Sequence, residues 1–115
     1  MIDFACKQIS IDEIIKCSFS LTKTELTIFQ FLAHRCGEEF SSNELSNKLE
    51  VDITTIQKAV KKLYEKGVLD KKQKNLEGGG YCLYYQCISK DKIKEVIFEN
   101  FRNFSKKMEQ SIQSW

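Results

Sequence analysis

Seven lysines fall between residues 53 and 74, at positions 58, 61, 62, 66, 71, 72 and 74, against two acids, Glu65 and Asp70. A lysine ammonium is a point charge that pairs readily with phosphate. Such a cluster, on a chain whose formal net charge is only +2, marks a local site for a polyanion and not a generally adhesive surface. The charge is also divided along the chain. Residues 1–50 hold five Lys/Arg against eight Asp/Glu, a balance of −3, and residues 51–115 hold thirteen against eight, a balance of +5. Just ahead of the first lysines stand Thr54, Thr55 and Gln57. Short polar side chains reach base edges, and a glutamine amide makes paired hydrogen bonds to adenine. Lys58, Lys61 and Lys62 suit phosphate oxygens.

These groups act together only if a helix displays them on one side. Asp52 reads as an N-cap and Gly67 as the C-terminal stop of a helix running to Lys66. At about 100° per residue, Ile56, Ala59, Val60 and Leu63 form one apolar face. Thr54, Gln57, Lys58, Lys61 and Lys62 lie off that face. A two-turn helix precedes it, over residues 42–50, with Ser42 as cap, Glu44 early, and Leu45 and Leu49 four apart. Apolar residues at 45, 49, 51, 56, 60 and 63 let two short helices pack steeply across a tight turn, with the small Ser46 allowing close approach. That geometry holds the second helix out from the body, where it can enter a DNA major groove.

The remaining blocks supply the support. Thr22 and Glu25 fit a capping box for a helix from Leu21 to Arg35, with Leu21 and Leu26 as the hydrophobic staple and Gly37 as the left-handed stop. Ser10, Asp12 and Glu13 predict a short N-terminal helix carrying Ile11, Ile14 and Ile15. Val68–Lys74 and Tyr81–Ile88 read as two strands joined by a tip containing Gly78, Gly79 and Gly80, with Lys71, Lys72 and Lys74 on the first strand. Ser89 caps a final helix whose apolar residues, Ile93, Ile97, Phe101, Phe104, Met108 and Ile112, recur at nearly heptad spacing. With the core already supplied by the preceding helices and the hairpin, this stripe is expected to bury against a second copy of the chain. The fold class is mainly α with a small β-hairpin: a winged helix-turn-helix with a long C-terminal dimerisation helix. The expected division is an N-terminal, dimer-associated helix over 1–20, the winged helix over 21–88 and the dimerisation helix over 89–115.

The stretch from Leu21 to Ile88 resembles the winged-helix domain of MarR-type and TrmB-type transcriptional regulators, and is especially similar to small single-domain regulators of this kind from archaea. The matching residues are Leu21–Glu25, Glu44-Leu45-Ser46, Thr54 to Leu69 with its Lys66-Gly67-Val68-Leu69 exit, and the wing end Gly79-Gly80-Tyr81. The resemblance implies binding to double-stranded DNA and dimerisation through terminal helices. The DNA contacts expected from the residues themselves are Thr54, Thr55, Gln57, Lys58, Lys61, Lys62, Lys71, Lys72 and Lys74. Members often carry a wing arginine for the minor groove, where this chain has only lysines.

Other classes fit less well. The 115 residues suit one domain. No apolar run reaches about 18 residues, so no membrane span is expected. Residues 1–6 lack a basic segment followed by an apolar one, so a cytoplasmic chain is expected. Gly78-Gly79-Gly80 is not followed by Lys-Ser/Thr and opens no helix, so it is not a phosphate loop. One histidine, His34, and scattered acids give no acid–base pair, and no enzyme is expected. Five cysteines, with no Cys-x-x-Cys pair, argue against a disulfide framework or zinc finger. The expectation is no cofactor. The alternatives are a thiol switch, a metal or an iron–sulfur cluster on the cysteines, with Cys6 and Cys17 the first candidates. A protein-interaction module without DNA binding is the competing class, since fold does not fix function.

Overall fold

A computed structural model of the chain describes residues 2–4 and 7–115. The elements run β1 (Ile2–Phe4), β2 (Lys7–Ile9), α1 (Ile11–Ser18), α2 (Lys23–His34), β3 (Phe40–Ser41), α3 (Ser42–Leu49), α4 (Ile53–Glu65), β4 (Leu69–Asn75), β5 (Tyr81–Cys87) and α5 (Lys90–Gln113). β1 and β2 form a separate antiparallel ribbon with Ile2 opposite Ile9, and the second sheet has the order β3-β5-β4. This is the winged helix-turn-helix expected from the sequence, closed by a long C-terminal helix.

Side-chain caps set the helix starts. Ser10, Thr22, Asp52 and Ser89 each accept a hydrogen bond from the amide three residues on, satisfying a donor that the first turn leaves unpaired. At α2 the box is reciprocal: the Glu25 amide donates to Thr22 Oγ1 over 3.2 Å and the Thr22 amide donates to Glu25 Oε1 over 2.8 Å. α3 differs from the expectation by one residue. Its cap is Ser41, not Ser42, because only Ser41 stands three residues before Glu44. The Glu44 amide donates to Ser41 Oγ over 3.2 Å and the Ser41 amide donates to Glu44 Oε1 over 3.1 Å. The turn to α4 is pinned by Ser46, whose hydroxyl donates to the Val51 carbonyl over 2.6 Å, while Glu50 takes the left-handed conformation at φ 55°. Ser46 thus braces the turn as well as permitting close helix approach.

One core unites these elements. Phe19, Ile28, Leu32, Leu45, Ile56 and Leu63 are all fully buried. Phe19 meets Phe29 edge-on with ring centres 6.0 Å apart. Three short strands depart from the sequence expectation. Residues 1–20 are not one helical block: the β1–β2 ribbon precedes α1, which begins only at Ile11. β3 adds a two-residue edge, with Phe40 opposite Tyr85 and Ser41 opposite Tyr84, too short to carry a period of its own. The hairpin strands lie within one residue of their expected ends.

α5 changes character along its length. Ile93 is buried in the core and Ile97 packs against it. Both therefore pack against their own chain, unlike the apolar residues that follow them on α5. Asn100 Nδ2 donates to the Ser18 carbonyl and to Ser18 Oγ, both over 3.1 Å, which ties α5 to α1. Beyond that link every residue from 101 to 115 is exposed, and the molecule is drawn out to 61 × 25 × 25 Å.

Candidate nucleic-acid interface

α4 realises the expected helical wheel. Ile56, Ala59, Val60 and Leu63 are buried at 1% exposure or less, which turns the opposite side outward. Thr54, Gln57, Lys58 and Lys61 are exposed there. Asp52 fixes the start of the helix: the Thr55 amide donates to Oδ2 over 3.0 Å and the Thr55 hydroxyl to Oδ1 over 2.7 Å. These bonds, the hydroxyl first, hold the Asp52 carboxyl below its ordinary range. Thr55 therefore spends its hydroxyl proton on the cap, and its half-buried side chain stands apart from the exposed group around Gln57.

Lys62 is also diverted. Its ammonium donates to the Ser20 carbonyl over 2.5 Å and to Glu25 Oε1 over 2.9 Å, so it clamps α4 to the start of α2 instead of projecting with Lys61. Burial raises the Glu25 carboxyl, but the Thr22 amide and Lys62 together outweigh it and the net shift is downward. Among the described residues Lys58 and Lys61 make no ion pair.

The wing lysines are split by strand alternation. Lys71 sits with its ammonium 4.4 Å from the centre of the Tyr64 ring, beside the end of α4. Lys72 and Lys74 share the other face and both meet Glu39, just before β3, at 2.9 Å and 2.7 Å. Lys74 also lies 4.6 Å from the centre of the Tyr84 ring. At the wing tip Gly78, Gly79 and Gly80 all have positive φ, a conformation that side chains other than glycine resist. The tip leaves Leu76 and Tyr81 exposed.

The four cysteines among the described residues, Cys17, Cys36, Cys82 and Cys87, all carry free thiols. Cys6 lies outside the described residues, and Cys17 is exposed. Cys36 donates to the Ile88 carbonyl over 2.8 Å, and Cys87 is buried with its thiol pushed up to about 12 by burial and by neighbouring Cys36. No group of three or more His, Cys, Asp or Glu side chains among the described residues could hold a metal ion.

Sequence reasoning missed Phe98, which is 60% exposed on α5 and precedes the exposed Phe101, Phe104, Met108 and Ile112. The signal was present, since Phe98 precedes Phe101 by three, a same-face interval. It also missed Asn100, because a polar residue inside an apolar stripe carries no period.

Helices α3 and α4 packed together across a tight turn, with a basic exposed side on α4, and a three-stranded sheet ending in a glycine-tipped hairpin define a winged helix-turn-helix protein. Residues 10–110 match the DnaD N-terminal domain, and the chain belongs to that family. It is also similar to a solved structure from Methanosarcina mazei Go1, described as a possible transcriptional regulator. The TM-score is 0.89 at 36% identity, over 100% of this chain and 96% of that one. A MarR protein from Peptoclostridium difficile DA00132 matches with a TM-score of 0.51 at 30% identity, over 91% of this chain and 65% of that one. Transcription factor E of Archaeoglobus fulgidus is 32% identical over 76 residues, 66% of this chain and 43% of its own length. The resemblance to small archaeal winged-helix regulators is therefore upheld. No helix among the described residues is long and apolar enough to cross a membrane.

Proposed function

We propose that the chain is a homodimeric, cytoplasmic transcriptional regulator that binds double-stranded DNA sequence-specifically. The observation that carries this reading is the exposed group Thr54, Gln57, Lys58 and Lys61 on the side of α4 opposite its buried face. α4 docks in the major groove, with Thr54 and Gln57 at base edges and Lys58 and Lys61 on phosphates. The β4–β5 wing flanks the helix, where Lys71, Lys72 and Lys74 meet the backbone. Thr55 and Lys62 support the surface from behind.

The occupant proposed for the free part of α5 is a second copy of the chain. Phe98, Phe101, Phe104, Met108 and Ile112 are large apolar side chains left exposed along α5, and their spacing is that of a self-complementary helix seam. A dimer presents two α4 helices to half-sites about one helical turn apart. The Phe104→Asp variant is expected to sediment as a monomer. A dimer that survives this change contradicts the assignment of the seam.

Binding-site selection from random duplexes tests the DNA reading. Enrichment of a two-fold symmetric motif is expected. The competing reading, a protein-interaction module, draws on the fact that Lys62, Lys72 and Lys74 are engaged inside the molecule. It predicts no enrichment and no duplex binding even at low salt.

A further inference from the structure

Glu39 holds two of the wing lysines at once. Its Oε1 accepts from Lys72 Nζ over 2.9 Å, and its Oε2 pairs with Lys74 Nζ over 2.7 Å. Both carboxylate oxygens are thus occupied. The carboxylate is mostly covered, at 22% exposure, whereas the two lysines are more than half exposed. The placement follows from the sheet. Lys72 lies opposite Tyr84 and Ser41 lies opposite Tyr84 on the other side, so β3 and β4 flank β5 in register. Glu39, two residues before Ser41, reaches the face where Lys72 and Lys74 project. Hydrogen bonds from Lys74 and then Lys72 hold the Glu39 carboxyl below its ordinary range, and the pairing raises Lys74, so both partners stay charged.

We propose that Glu39 is an internal competitor for the DNA backbone, occupying the wing cations in the free protein so that phosphate engages them only by displacing or sharing with a carboxylate. This rests on the DNA-binding reading given above and adds a residue to it that restrains binding. An exposed ion pair contributes little to stability, but a fixed negative charge beside two phosphate ligands acts directly on an electrostatic encounter. The consequence is selectivity: the wing adds little affinity on arbitrary duplexes, and α4 must supply the rest from base contacts.

The test compares full-length wild type with Glu39→Gln on a fluorescently labelled random-sequence duplex across a salt series. Freeing two lysines is expected to tighten binding roughly three- to tenfold at low salt and to steepen the salt slope by about one to two. Glu38→Gln removes the same formal charge one position away, where no ion pair forms among the described residues. It is expected to leave affinity within about twofold, since it releases neither wing lysine from its partner. In a Lys72→Gln/Lys74→Gln background, Glu39→Gln is expected to change nothing. Unchanged or weaker binding by Glu39→Gln, or a gain that persists without the two lysines, overturns the inference while leaving the DNA reading intact. Failure of both wild type and Glu39→Gln to bind any duplex at low salt overturns both.

Discussion

Helix α4 and strand β4 are adjacent, carry three lysines each, and are differently employed. On α4 the 3.6-residue period sends Lys58 and Lys61 away from Ile56, Ala59, Val60 and Leu63, and no acid among the described residues pairs with them. On β4 the two-residue period sends Lys71 to the Tyr64 ring and Lys72 and Lys74 to Glu39. The number of lysines in a sequence therefore overstates the number of phosphate ligands ready in the fold. The helix is a displayed surface and the strand a restrained one.

The largest expected effect sharpens this contrast on the helix side. Replacing Lys58 and Lys61 together with alanine is expected to weaken binding roughly a hundredfold at low salt on all sequences alike. Fluorescence anisotropy on specific and scrambled duplexes reads it, and loss confined to the specific duplex would break the phosphate assignment. Next, Gln57→Ala is expected to relax preference at one position of the selected motif by about 1–2 kcal/mol. An unchanged motif would remove Gln57 from the base contacts. Smaller again, Lys62→Ala is expected to lower unfolding stability by roughly 1 kcal/mol through loss of the Glu25 and Ser20 contacts, with duplex affinity within about twofold. A large affinity loss at unchanged stability would put Lys62 back on the displayed surface.

The smallest effect concerns acid. Because the Glu25 carboxyl is held below its ordinary value of 4.5 in the folded protein, its ionised form contributes stability above that value, and the contribution fades as pH falls through the lowered one. The stability gap between wild type and Glu25→Gln is expected to close below pH 4.5. A gap that widens in acid would contradict the downward shift.

Periodic features were legible in the sequence and distant pairings were not. The buried face of α4, the Thr22–Glu25 box, the Asp52 cap and the two wing strands each depend on residues within a few positions of one another, where spacing determines geometry. The partner of Lys62 is Glu25, 37 positions away, and that of Lys72 is Glu39, 33 positions away. No local pattern announces either, so both lysines read as free. The same limit explains α5. Ile93 and Ile97 share the interval of Phe104 and Met108, yet the first pair meets the core of its own chain while the second extends past it. Two-residue β3 and the β1–β2 ribbon are too short for alternation to register. The Ser41 cap was within reach, since Glu44 three residues later completes the box that Ser42 cannot.

The central claim is that the exposed side of α4 lies on duplex DNA. Its most direct measurement is the salt slope of duplex affinity for wild type beside the Lys58→Ala/Lys61→Ala variant. The account predicts a steep log-linear fall for wild type and a slope shallower by about two for the variant. Parallel slopes, or a wild type that binds no duplex at the lowest salt, would contradict it.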